Sequence, residues 1–114
     1  MFDFEKFPVY INAQDFLFQI QPIFRNKQIN WNMRDQLYRA SSSILLNIAE
    51  GAGKFSKKDK KNFYLIARGS VQECVAIIQL LYIEKNITNE SFTNLHDQLS
   101  TMGKMLTGLI KSMG

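Results

Sequence analysis

The chain has 114 residues, 46% hydrophobic and 21% charged, enough for one globular domain and too few for two. A single cysteine, Cys74, and a single histidine, His96, exclude an intrachain disulfide framework, a Cys/His zinc cage and any catalytic arrangement that needs two imidazoles. Lys and Arg number 14 against 10 Asp and Glu, and this formal charge of +4 favours acidic partners only weakly, because a small surface carries such an excess for solubility alone.

Two prolines, Pro8 and Pro22, and three valines, Val9, Val71 and Val75, leave little strand material and few helix breakers, so the predicted class is all-α. A first helix over about 7–25 places Val9, Ala13, Phe16, Ile20, Ile23 and Phe24 on one stripe, with Pro8 tolerated in its first turn and Pro22 set to kink or end it. Asn30 or Asn32 caps a second helix over about 32–52, whose inner face is Met33, Leu37, Ala40, Ile44 and Ile48. Ser56 with Asp59 starts a third over about 57–84, with Phe63, Ala67, Ser70, Cys74, Ile77, Ile78 and Leu81 inward. Thr88 starts a fourth over about 89–112, lined by Phe92, Leu95, Leu99, Met102, Leu106, Leu109 and Met113. The short connections force antiparallel neighbours, hence a single up-down-up-down four-helix bundle over 1–114.

The N-terminus lacks the basic start and apolar core of a signal peptide, and the most apolar run, Cys74 to Ile83, contains Gln79 and falls short of a bilayer span. A soluble, cytoplasmic protein without membrane contact is expected. Three helices carry apolar residues away from their inner stripes: Ile11 and Phe18 on the first, Leu46 on the second, and Leu65, Gly69, Ala76 and Leu80 on the third. Scattered exposed hydrophobes are one reading, and a homo-oligomer interface over these helices is the other.

Arg39, Ser43, Asn47 and Glu50 form a polar ridge on the non-core face of the second helix, and Arg68, Gly69, Ser70 and Glu73 make a similar insertion in the third. Serines and Asn inside a helix are poor helix formers, so tertiary hydrogen bonds are expected to hold them. In the structural reading Arg39 or Arg68 pairs with Glu50 or Glu73, and Asn47, Glu50, Arg68 and Glu73 are largely buried. A ligand site and a catalytic site are the alternatives. Gly51-Ala52-Gly53-Lys54 lacks the upstream glycine of a phosphate-binding loop and reads as a helix stop. His96 reads as a surface residue, Cys74 as an inert core thiol and Trp31 as a cover for one bundle end, and no cofactor or metal is called for.

The string Asn47-Ile48-Ala49-Glu50-Gly51-Ala52-Gly53-Lys54, preceded by Arg39-Ala40 and Ser43-Ile44 and followed by Ala67-Arg68-Gly69-Ser70 and Glu73, resembles the 23S rRNA-intervening sequence proteins of bacteria. Lys54 stands where those proteins commonly have Arg, which keeps the charge and loses bidentate geometry, and the Phe16-Leu17-Phe18 segment is more aromatic than their pattern. The resemblance implies a four-helix bundle assembled as a ring-shaped homopentamer, with no established enzymatic activity. A more distant similarity links the chain to accessory proteins of diversity-generating retroelements, which bind nucleic acid.

Lys54, Lys57, Lys58, Lys60 and Lys61 place five cations in eight positions around the start of the third helix, opposed only by Asp59. Helix N-termini favour acids, so helix stability does not account for the cluster. Either it is a solvated solubility patch, or it contacts RNA or DNA phosphates, with Phe55 and Tyr64 available for base stacking. Two functions follow: a non-enzymatic homo-oligomeric module that binds nucleic acid, or a structural or protein-interaction oligomer that does not.

Overall fold

Apolar residues at helical spacing, side-chain caps at the starts of the three longest helices and the scarcity of proline produce helices throughout the computed structural model, which describes residues 2–114. After a 3-10 turn at Asp3–Lys6 come α1 (Pro8–Gln19), α2 (Gln21–Arg25), α3 (Trp31–Ala52), α4 (Lys57–Ile83) and α5 (Asn89–Ser112). The first expected helix is divided at Ile20: Pro22 lies in the first turn of α2, where its missing N–H costs nothing, and the chain re-enters helix after one residue.

The caps are those the sequence offers. The Asn30 side chain accepts from the Asn32 N–H at 2.7 Å, Ser56 from the Asp59 N–H at 3.1 Å and Thr88 from the Ser91 N–H at 3.0 Å. α4 ends differently from α3. The Asn86 N–H donates to the Leu81 carbonyl at 2.8 Å and Lys85 N–H to that of Tyr82, with Lys85 left-handed at φ 62°, a cap normally built on glycine.

α3 packs along α4 and α4 along α5, while α1 closes the bundle against α3 and α5 and does not approach α4. The result is an antiparallel four-helix bundle, 44 × 22 × 22 Å, whose long dimension matches the roughly 40 Å of a 27-residue helix. Its core joins Val9, Phe16 and Ile20 to Leu37, Ile44 and Ile48, to Cys74, Ile78 and Leu81, and to Leu99, Met102 and Leu106.

Two inward positions of α4 differ from expectation: Val71 is buried as well, and Tyr64 takes the place of Phe63. Tyr64 is buried and Phe63 only partly so, because α3 ends with Gly51 pressed against the Tyr64 ring: a Cβ at Gly51 would lie 2.8 Å from Tyr64 Cε1. Tyr64 is therefore unavailable for base stacking. Trp31 opens α3 with most of its surface exposed and does not cover the bundle end. α4 also exceeds the short apolar run read from sequence, since it holds an 18-residue window of mean hydropathy 1.3, long and apolar enough by composition to cross a bilayer. As the helix packed between α3 and α5 it supplies eight buried side chains, but only 33% of that window is buried, and Ile66, Leu80 and Ile83 stay exposed.

Candidate functional site

Three consecutive serines in the middle of α3 are held in two ways. Ser41 and Ser42 donate to carbonyls one turn back in their own helix, those of Leu37 and Tyr38, so they need no tertiary partner. Ser43 does have one: the Ser70 hydroxyl of α4 donates to its Oγ at 2.8 Å, and the Asn47 amide donates to the same Oγ at 3.0 Å and to the Ser43 carbonyl at 2.8 Å. This small relay fixes the α3–α4 register at mid-height.

The charged members of the two insertions do not join it, contrary to the expected buried pairing. Arg39 pairs with Asp35 at 3.0 Å, one turn back in its own helix, and Glu50 with Lys54 at 3.6 Å, one turn ahead. Glu50 keeps 58% of its side-chain surface exposed, and Glu73 is exposed with no partner among the described residues. Arg68 is half-buried on the other flank of α4, in a groove toward α5. Arg39 and Glu50 each have an opposite charge four positions away along the chain, and that local pair forms in place of a cross-helix one. Gly69 faces open space, and Gly53 caps α3 with an ordinary φ of −83°.

Leu46, Phe18, Ile11, Leu65 and Leu80 are all exposed large hydrophobics, and Gly69 and Ala76 are exposed between the α4 leucines. Ile66, half exposed, belongs with them and was missed, because it lies at the edge of the α4 outer stripe, toward α3.

The lysine cluster separates into different jobs. α3 and α5 both end where α4 begins, so their C-terminal carbonyls meet the first turn of α4. Lys60 donates to the Ala52 carbonyl at 2.8 Å and Lys61 to the Gly114 carbonyl at 3.0 Å, placing positive charge where helix dipoles favour it. Lys54, besides its pairing with Glu50, sits 5.1 Å from the centre of the Phe63 ring. Lys57 and Lys58 are exposed and have neither an ion pair nor a side-chain hydrogen bond among the described residues. Phe55 projects beside them, fully exposed.

The single cysteine and the single histidine lie apart, on α4 and α5. Cys74 is buried in the core, where desolvation, with a smaller contribution from the Glu73 charge, pushes its thiol up to about 12 and keeps it protonated. His96 is half-buried beside the Phe92 ring, at 5.7 Å between centroids. Among the described residues no three of His, Cys, Asp and Glu are grouped to hold a metal.

No curated protein matches the chain significantly. Among solved structures, a Bacteroides thetaiotaomicron protein of unknown function from the S23 ribosomal protein family is similar, with a TM-score of 0.85 and 26% identity over 90% of this chain and 98% of that one. The family model for the 23S rRNA-intervening sequence protein matches residues 5–108, from the 3-10 turn to the last turns of α5. A match running through the Ser43–Ser70 relay, the glycine-ended α3 and all four sides of the bundle places this chain in the 23S rRNA-intervening sequence protein family.

Proposed function

We propose that this protein is a non-enzymatic, homo-oligomeric bundle, of ring form and five copies as its family resemblance implies, that contacts RNA or DNA phosphates through the end of the bundle where α4 begins. The observation that carries the reading is the pair Lys57 and Lys58. Three lysines of the cluster are engaged by carbonyls, a carboxylate or a ring, and these two are exposed without a partner beside the fully exposed Phe55. Contact through phosphates carries little sequence information, so binding is expected to be broad. The exposed leucines of α3 and α4 support self-association, which would repeat the basic end around a rim.

Fluorescence anisotropy with a labelled generic RNA tests this. Binding at about 50 mM salt that weakens steeply as salt rises, and that the double change Lys57→Glu/Lys58→Glu removes, is the expected result. Absence of binding by the wild type at that salt, or indifference to the double change, overturns it. Lys60 and Lys61 are left in place because they serve the ends of α3 and α5.

A further inference from the structure

Arg39 and Lys54 each have an acid four positions back along the chain, Asp35 and Glu50, and pair with it. On the outer face shared by α4 and α5 this provision is missing. Lys57, Lys61, Arg68, Lys104 and Lys111 have no Asp or Glu three or four positions to either side, and residues 98–114 contain no acid at all. Lys61, which reaches the end of α5, fixes that face, and Lys57 lies one turn below it. Arg68 and Lys104 then face each other across a groove between the two helices, lined also by Gln72, Ser100 and Thr107. Gly103 forms its floor: a Cβ there would meet only Val71 Cγ1, at 3.9 Å. Neither Arg68 nor Lys104 has an ion pair or side-chain hydrogen bond among the described residues.

We infer that the phosphodiester backbone of one nucleic-acid strand runs from the Lys57 end of the bundle along the α4–α5 groove to Arg68 and Lys104. The inference rests on the phosphate-binding reading above and extends it from a rim to a track. From Lys57 to Arg68 the face rises about 16 Å along α4, room for several consecutive phosphates, and the groove at its upper end offers an ammonium, a guanidinium, an amide and two hydroxyls beside Val71 and Gly103. The cleft between two adjacent helices admits one strand. Beyond Phe55 at the Lys57 end it has no exposed ring for a base to stack on, so along the groove the bases point outward and the sugar–phosphate chain lies inward.

The test is anisotropy with a labelled 15-nucleotide oligouridine over a salt series, comparing wild type with Lys104→Glu, with Arg68→Gln/Lys104→Gln and with Arg25→Ala/Lys27→Ala at the far end of the bundle. Lys104 is exposed and uncommitted, so Lys104→Glu keeps the test open should the Arg68 change perturb folding, which circular dichroism monitors. Both groove variants should bind several-fold more weakly at low salt, the double variant lowering the slope of log K against log salt by about 0.7 per cation removed, while the far-end control is unchanged. Loss of binding in Lys57→Glu/Lys58→Glu with wild-type affinity in both groove variants overturns the track and leaves the rim. No binding by wild type overturns both.

Discussion

Gly51 owes its place to a neighbour rather than to its own backbone. With Tyr64 Cε1 at 2.8 Å and Phe63 Cβ at 3.0 Å from a built Cβ, Gly51→Ala forces a buried ring to move, whereas Gly69→Ala meets nothing within 4 Å. The first should destabilise by about 1–3 kcal/mol through overpacking. The second should stabilise the isolated fold by about 0.5–1 kcal/mol through helix propensity, and paired urea titrations read both signs. Cys74 gives the residue scale its pH dependence. Its pKa is raised from 9.0 when free to about 12 in the fold, so above pH 9 the unfolded chain sheds a proton that the native state keeps, and stability falls as pH rises toward 12. The expected slope is about 1.4 kcal/mol per pH unit once the free thiol is ionised. Urea midpoints measured between about pH 8 and 9.5 should drift down in wild type and far less in Cys74→Ala, because Tyr64, also raised by burial, begins to lower stability only as its unfolded phenol ionises near 10.0.

At the scale of elements, the α3–α4 pair is fastened by Ser43 and Ser70 and not by its charges. Ser70→Ala is therefore expected to cost about 0.5–1.5 kcal/mol, and Glu50→Ala, which loses only an exposed 3.6 Å pair with Lys54, under about 0.5 kcal/mol; chemical denaturation distinguishes the two. A larger loss on removing Glu50 would mean that the carboxylate has a structural partner. The same pair shows what was legible in the sequence. Periodicity placed Leu37, Ile44, Ile48, Cys74, Ile78 and Leu81 inward, and the caps Ser56 and Thr88 set the starts of α4 and α5, because both signals are local. Which of two adjacent aromatics, Phe63 or Tyr64, turns inward is decided by the space Gly51 leaves on another helix, and spacing within α4 carries no trace of that. The lysine cluster was legible as charge, but its division was not. That Lys60 and Lys61 serve the ends of α3 and α5 follows from three helix termini meeting in space.

For the molecule as a whole, the exposed leucines of α3 and α4 provide the test of self-association. Leu80, on the side of α4 away from its core stripe, is 39% exposed beside the exposed Ala76, so Leu80→Glu should leave helix content intact while lowering the native mass toward 13.2 kDa. Light scattering checks it, and a wild type already monomeric at tens of micromolar would remove the case for a second apolar interface. One feature of the architecture sets how the bundle breathes. Of the three other long helices α1 meets α3 and α5 but not α4, and its junction with α2 at Ile20 interrupts the helix, whereas α3, α4 and α5 follow one another along continuous seams. The N-terminal segment can thus detach as a unit, baring Phe16, Leu37 and Leu99 while the other three helices stay paired. Its amides should exchange with solvent through an opening of lower free energy than global unfolding, making it the part of the molecule that a partner could most easily displace.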